Sequence, residues 1–382
     1  MKVCYVSSYP PNRGNLSEYA YNFVNSLVKN KKVEEVIVLA NKHKNAKKVE
    51  IHKKMKIIRC WENNSFKIPM DILMNVKKLK IDIVHFNMGI MSWGKGRIVN
   101  FLGGLTPFLI KKILNKKVTI TLHNVAEATD LSKIEGIKQS KINLFGLWLL
   151  MKLILSVDKV FVTLKSYVKI LKRKYLCDNI VHIVHGTFDV KVKKVKIGGK
   201  TLLGFGHWWS CKGLSILIET FKEIQKEDEE IKLIIAGDSH PRYPTFLKKI
   251  KEKYANVPNI TYTGYVPEKK IKDIFNSSTV VVLPYTCTVG SSGVLHLACS
   301  YGKPVIISDL PDIREAAKEI KASVIFVKPN DKESLKKAIK KVIYNKNFQK
   351  NIIKKNLENI KKFSFNYVTN EYVKNFEEII KK

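Results

Sequence analysis

Short runs of β-branched residues recur along this chain, separated by longer stretches in which apolar positions return every three or four residues. The first pattern predicts strands and the second amphipathic helices. In the first half the predicted strands are Val3–Ser7, Val36–Ala40, Lys56–Arg59, Ile83–Phe86, Val118–Leu122, Lys159–Thr163 and Ile180–Val184, the last ending at His185-Gly186. A second series follows at Thr201–Phe205, Lys232–Ala236, Ile260–Tyr262, Val280–Leu283, Val305–Ser308 and Ser323–Phe326. Between strands the helical stripe is clear after Gly213, where Leu217, Ile218, Phe221 and Ile224 share one side while Glu219, Lys222 and Glu223 face away. From Ser334 to Lys382 the pattern is helical, broken near Phe363-Ser364-Phe365. Strands alternating with helices build parallel sheets, so the fold class is α/β: two Rossmann-like, doubly wound domains in tandem, 1–190 and 191–363, followed by a last helix over 364–382. The run Lys191 to Lys200 alternates Val with Lys, ends in Gly198-Gly199, and reads as a linker or an edge segment. No repeat of solenoid period is found. Ligands of such sheets bind at the carboxyl ends of strands, which predicts an interdomain cleft fed by loops of both domains.

The length of 382 residues suits two domains, and 45 % hydrophobic content excludes a disordered chain. Charge changes the picture more. Lys plus Arg number 69 against 33 Asp plus Glu, a formal net charge of +36, and only six of the basic residues are Arg. AT-rich coding accounts for part of the lysine excess but not for the shortage of acids. Up to residue 190 there are 33 basic and 13 acidic residues, and beyond it 36 and 20, so the charge belongs to the folded body and not to a tail. Its partner is then a membrane surface, a nucleic acid or a phosphorylated substrate. The cysteines at 4, 60, 177, 211, 287 and 299 show no zinc or redox spacing, which predicts reduced thiols in the cytoplasm. The first residues lack the layout of a secretory signal, and the most hydrophobic stretch, Ile142 to Val157, contains Lys152, so no spanning helix is expected.

Four groups of residues at strand ends carry candidate chemistry. After the first strand, Tyr9-Pro10-Pro11-Asn12-Arg13-Gly14-Asn15 leads to a helix starting near Ser17; Gly14 admits a ligand to the backbone and the helix start favours an anion, with an ordinary turn capped by Ser17 as the plainer alternative. His85 and His123 end predicted strands, where an imidazole donates to a sugar hydroxyl or stabilises charge; His123, with Asn124 and Glu127 after it, has the more polar surroundings. The loop Gly206-His207-Trp208-Trp209-Ser210-Cys211-Lys212-Gly213 sets Lys212 before a helix, so that ammonium and helix amides together suit a diphosphate. Gly204-Phe205-Gly206 is half of a dinucleotide fingerprint, with Trp209 where the third glycine belongs. Last, in Pro284-Tyr285-Thr286-Cys287-Thr288-Val289-Gly290-Ser291-Ser292-Gly293-Val294, two glycines flank two serines at a helix start, a second phosphate-grade feature. Aspartates spaced one apart do not occur, nor do metal-spaced His and carboxylate clusters, so Lys212 and backbone dipoles are expected to neutralise the diphosphate.

The order of the Gly14 loop, His123, Lys212-Gly213, Gly237, Gly264-Tyr265-Val266, Pro284-Tyr285 and Gly302-Lys303-Pro304-Val305 resembles that of retaining glycosyltransferases of family four, with the GT-B fold. The resemblance covers nearly the whole chain and is strongest from Thr201 to Glu315. It implies that the last helix crosses back onto the first domain, and that a sugar leaves a nucleoside diphosphate donor with retention, without metal or further cofactor. It further implies catalytic roles for His123 at the donor sugar and Lys212 at the leaving diphosphate. Donor contacts are implied for Gly14, Asn15, His207, Gly237, Tyr265, Val266, Ser291, Ser292, Gly293, Val294 and His296, with Tyr265 and Val266 by the base. Three positions depart from the family. Its glycine pair is Gly14-Asn15 here, its Arg five residues before the lysine is His207, and its two glutamates separated by seven residues fall on Val289 and Leu297, the latter beside His296.

The expected function is therefore a retaining hexosyl transfer from a nucleotide sugar to a lipid-linked or cell-surface glycan, at the cytoplasmic face of a membrane and without specific nucleic acid. A non-catalytic sugar-nucleotide binder and a GT-B epimerase are the alternatives. Nucleic-acid binding rests on charge alone and lacks a recognisable module. For the membrane, Arg97 to Lys117 mixes apolar residues with Lys111, Lys112, Lys116 and Lys117 as an interfacial helix does; Gly103-Gly104 and Pro107 interrupt it, and a core helix with a solvated edge is the equal alternative.

Overall fold

The computed structural model describes residues 1–14, 16–128, 140–188, 190, 195, 197–287 and 290–382, so Asn15, Val289 and half of the run 191–200 lie outside the described residues. Two units emerge, Met1–Gly186 with Phe365–Lys382, and Thr187–Ser364.

In the first unit the strands are β1 (Lys2–Val6), β2 (Glu35–Asn41), β3 (Val49–His52), β4 (Met55–Trp61), β5 (Ile83–Met88), β6 (Lys117–Leu122), β7 (Lys159–Val162) and β8 (Ile180–His182). They pair in the order β3-β4-β2-β1-β5-β6-β7-β8, all parallel except β3 on β4. The edge strand β3 was not expected from the sequence, because its turn, Lys53-Lys54, carries none of the usual hairpin residues. The helices are α1 (Ser17–Lys29), α2 (Ile68–Lys77), α3 (Arg97–Leu114), α4 (Lys141–Leu155) and α5 (Lys165–Tyr175). Against expectation, α3 runs unbroken through Gly103-Gly104 and Pro107 and buries all three. A Cβ at Gly103 would stand 2.2 Å from Trp93, and one at Gly104 3.1 Å from Leu150 of α4, so the pair exists for close packing and not to end the helix.

The helix Phe365–Lys381, numbered α13 in chain order, belongs to this unit because Phe365, Val368, Tyr372, Val373, Phe376 and Ile379 form one buried stripe. The Tyr372 hydroxyl shares a hydrogen bond of 2.8 Å with Thr121 Oγ1, and Ser26 and Thr369 share one of 2.9 Å.

The second unit holds β9 (Thr201–Phe205), β10 (Lys232–Ala236), β11 (Ile260–Gly264), β12 (Val280–Leu283), β13 (Val305–Ser308) and β14 (Ile325–Val327), paired β11-β10-β9-β12-β13-β14 and all parallel. Its helices are α6 (Leu214–Glu227), α7 (Phe246–Lys253), α8 (Glu268–Ser277), α9 (Gly293–Ser300), α10 (Pro311–Glu319), α11 (Lys332–Ile343) and α12 (Lys346–Ile360). The stripe Leu217, Ile218, Phe221 and Ile224 of α6 is wholly buried against this sheet's core. Helical sequence after Ser334 is also interrupted at Tyr344-Asn345, where the Asn345 side chain accepts the Phe348 N–H and starts α12 afresh. Among the described residues no helix is long and apolar enough to cross a membrane.

Candidate functional site

Strand order in the second unit reverses between β9 and β12, so the loops leaving these two strands diverge and open a crevice, the usual place for a ligand. After β9 the backbone stays extended: Trp208 N–H donates to Asp238 O and His240 N–H to Trp208 O, both at 2.9 Å. Alternation sends Trp208 into the core, where its indole N–H donates to Ala236 O, and leaves His207 and Trp209 half-buried on the other side. Trp209 stacks on Tyr243 with planes 7° apart, and His207 meets His240 edge to face at 6.4 Å. Burial, then the nearby His207, Arg242 and Lys212, lowers the pKa of His240 to about 4, so it is neutral at pH 7. Sequence reasoning missed His240, Arg242 and Tyr243; their signal was position, just after Gly237 at the end of β10.

Residues Ser210–Lys212 make a single tight turn that stops at Gly213, with φ 63°. Lys212 Nζ sits 3.9 Å from the centre of the Tyr285 ring, and the Tyr285 hydroxyl shares a 3.1 Å hydrogen bond with Ser292 Oγ. Ser291 and Ser292 precede α9, whose first residues are Gly293 and Val294, and no side chain caps this helix start. Gly237, at φ 106°, lies so close to the Gly206 carbonyl that a Cβ would stand 1.9 Å away. Lys212, His207, Gly237 and the Ser291–Val294 segment therefore gather at one end of the sheet. A lysine over an aromatic face beside uncapped helix amides is chemistry for an anion. Tyr265 is exposed and Val266 buried just beyond β11. His296 departs from expectation: one turn into α9, it is completely buried and presents nothing to a ligand from the helix start. Asp312 of α10, also missed, accepts the Gly290 N–H at 3.2 Å.

The expectation of reduced thiols fails here. Cys211 and Cys287 are joined in a disulfide, while Cys4, Cys60, Cys177 and Cys299 are free. A separation of 76 residues hid the pair, but β9 and β12 are sheet neighbours and their loops meet. Among the described residues no group of three or more His, Cys, Asp or Glu is placed to hold a metal.

In the first unit the reversal falls between β1 and β5. His123 stands just past β6 with Nε2 2.6 Å from Asn87 Oδ1, and Asn87 Nδ2 donates to Ser7 Oγ at 3.0 Å. That orientation of the amide puts the imidazole hydrogen on Nε2. Burial, with His185 and His85 nearby, holds the His123 pKa well below its ordinary value, so the ring is neutral. Tyr19 packs edge-on at 4.4 Å, and His185 lies 5.9 Å away. Asn87, His185 and Tyr19 were not foreseen. Gly14, at φ 73°, donates its N–H to Glu18 Oε1 at 3.2 Å. Ser17 is not the cap considered above: it is the first helical residue and donates its hydroxyl to Asn12 O at 2.8 Å. Glu127 turns to α5, accepting from Tyr175 O–H and Lys174 Nζ.

His85 is a correction as well. Because β5 continues to Met88, His85 lies mid-strand, its ring nitrogens bonded to Thr119 and Thr121 hydroxyls at 2.9 and 3.0 Å, and burial lowers its pKa to about 3. It is a buried packing hub beneath Tyr372. His185 is likewise lowered to about 4 by burial. The folded values lie below the unfolded one, so the unfolded chain binds more protons once the pH drops below about 6.5, and stability is lost as it falls towards the folded values. At pH 5 His85 and His185 each cost roughly 2 kcal/mol. Calorimetry from pH 7 to 5 is expected to show a steep fall of the thermal midpoint, shallower in His85→Gln; equal slopes would refute the role of His85.

Comparison with known proteins places these features in context. Residues 199–345 match the family model described as glycosyl transferases group 1. A stretch of 153 residues is 23 % identical to an uncharacterized glycosyltransferase of Haemophilus influenzae, covering 39 % of this chain and 41 % of that protein. Among solved structures, sucrose-phosphate synthase from Thermosynechococcus elongatus superposes with a TM-score of 0.78 at 15 % identity, covering 99 % of both chains. The Anabaena protein HepE, solved with UDP and glucose, gives 0.73 at 13 % identity over 99 % of this chain and 100 % of the other. At these identities the structural matches speak for the fold.

Proposed function

We propose that this chain, whose residues 199–345 match the group 1 glycosyl transferases and whose fold is that of GT-B structures, is a glycosyltransferase that moves a hexosyl group, with retention and without a metal, from a nucleoside diphosphate sugar to a lipid-linked or cell-surface glycan. The observation that carries this reading is Lys212 held over Tyr285 beside the uncapped start of α9. Cleaving the sugar–phosphate bond builds negative charge on the departing diphosphate, and a fixed ammonium with helix amides stabilises that charge. Ser291, Ser292, Gly293 and Val294 would serve phosphate and ribose, with His207 and Gly237 beside them and Tyr265 and Val266 by the base. On the first unit, Gly14 is assigned to the diphosphate and the acceptor side, and the neutral imidazole of His123 to the donor sugar. His207 replaces a permanent charge; Arg242, whose field is felt at His240, supplies a guanidinium to the same sheet end.

One observation favours a second reading. At the place of the family's second glutamate stands Leu297, buried and apolar, so the ribose loses a carboxylate partner and the chain would bind a sugar nucleotide without transfer. Thermal-shift screening against UDP-, GDP-, ADP- and CMP-sugars should identify a donor that raises the midpoint by mass action. Incubating that donor with glycan acceptors should then give a product of unchanged anomeric configuration. Binding without product favours the second reading, and isomerised donor without acceptor favours an epimerase.

For the membrane, the supporting surface shifts from the length of α3 to helix starts. Ile98 at the start of α3 is 65 % exposed, and Ile142 and Phe145 at the start of α4 are 83 % and 62 % exposed. Arg97 donates to Asn143 and ties the two starts together, with Lys95 and Lys141 exposed alongside. Apolar side chains ringed by cations suit an anionic leaflet on the cytoplasmic side. Flotation with anionic vesicles is expected, and Phe145→Asp should weaken it severalfold; flotation indifferent to anionic lipid would remove the electrostatic part.

A further inference from the structure

The turn carrying Lys212 and the loop carrying Tyr285 are joined by a covalent bond. Cys211 precedes Lys212 directly, and its disulfide partner Cys287 lies two residues after Tyr285, with 5.1 Å between the two Cα atoms. The Thr286 N–H also donates to Cys211 O at 3.0 Å. One covalent bond and one hydrogen bond thus hold together the two backbones that carry the lysine and the ring beneath it. Without the bond, a lysine on a flexible four-carbon stem is no longer tied covalently to the backbone that carries Tyr285, and ordering the two on binding costs affinity.

We propose that the Cys211–Cys287 disulfide is a redox-controlled positioning element of the anion site: closed, it keeps Lys212 over Tyr285 in binding geometry, and opened by a dithiol it lets the two separate so that nucleoside diphosphates bind more weakly. The inference rests on reading this site as the donor's.

The chemistry balances as ordinary exchange. Cys211 is buried and Cys287 half-buried, so a reagent thiolate attacks Cys287 Sγ. The S–S bond breaks, its electron pair leaves on Cys211 Sγ, and that sulfur takes a proton. The reagent's second thiolate then displaces Cys287 Sγ, which is protonated in turn, and the reagent departs as its cyclic disulfide, having delivered two electrons and two protons. The four remaining thiols are disfavoured as thiolates: burial raises the pKa of Cys4 and of Cys299, and that of Cys60 to about 12, and burial with the neighbouring Asp178 raises that of the half-buried Cys177. In a reducing compartment a pair of this kind is regulatory and not permanent.

The test uses the full chain, oxidised as verified by thiol alkylation and intact mass, with UDP, GDP and ADP as probes in titration calorimetry well below the thermal midpoint. Dithiothreitol is expected to raise the Kd of the preferred nucleotide about tenfold, and reoxidation to restore it. The Cys211→Ser/Cys287→Ser double variant should bind at the reduced level and ignore dithiothreitol; if it does not fold, the reversible comparison on the native chain decides alone. A bond serving only the fold would lower the midpoint and leave Kd unchanged. Equal Kd in both redox states would overturn this inference while leaving the donor reading intact. No nucleotide binding in either state would overturn the donor reading and the inference with it.

Discussion

Lys212→Ala is expected to lower sugar transfer about 10²–10³-fold, the loss typical of removing one fixed donor from a charge-developing transition state. The same change should leave the fold almost untouched. Lys212 is half-buried, and its described contact is the cation–π approach to Tyr285, worth about 0.5–1 kcal/mol at such a site. Lys212→Met separates charge from packing, since it keeps a long flexible stem over Tyr285 without the ammonium. If charge at the leaving diphosphate is what matters, Met and Ala lose equally; if the stem's packing matters, Met recovers most of the rate. Steady-state kcat/KM for the donor found by thermal shift, together with inhibition by the corresponding nucleoside diphosphate, measures both. Transfer within threefold of wild type in Lys212→Ala would end the leaving-group role.

How far the sequence foretold this site depends on whether each feature is local. The strands β9, β10, β12 and β13 coincide with their apolar runs, and the stripe of α6 faces inwards as its spacing required, because burial of a repeating pattern is settled within one element. Lys212 and the Ser291–Val294 segment were visible because each lies beside a glycine at a strand end. What failed was non-local. His85 looks like a strand-end histidine until β5 is seen to run on to Met88 and Tyr372 arrives from 250 residues away to close the hydrogen-bonded chain with Thr121. The Cys211–Cys287 bond needs β9 and β12 side by side, which no spacing along the chain reports. His296 sits one turn past residues assigned to the donor, yet helical rotation carries it into the core. Asn87 and His185 were passed over for the same reason: their value comes from His123, just past β6, which only the folded sheet brings beside them.

Gly213→Ala is expected to be severely damaging for a single methyl, and Gly264→Ala is its control. The two glycines share one φ, 63°, so the left-handed penalty of about 1 kcal/mol applies to both. They differ in space. A Cβ at Gly264 meets nothing within 4 Å, whereas at Gly213 it would stand 1.9 Å from Pro284 O and 2.9 Å from its carbonyl carbon. A backbone carbonyl at the end of β12 does not swing aside as a side chain does, so the turn or the loop must move bodily. Gly264→Ala should therefore cost about 1 kcal/mol, and Gly213→Ala roughly 3 kcal/mol or more, seen as a much larger fall of the thermal midpoint. The displaced element also carries Lys212 on one side and Tyr285 on the other, so whatever Gly213→Ala protein folds should have lost nucleotide affinity out of proportion to its stability. Equal midpoints for the two variants would mean that φ alone, and not the approach of the two loops, demands glycine at 213.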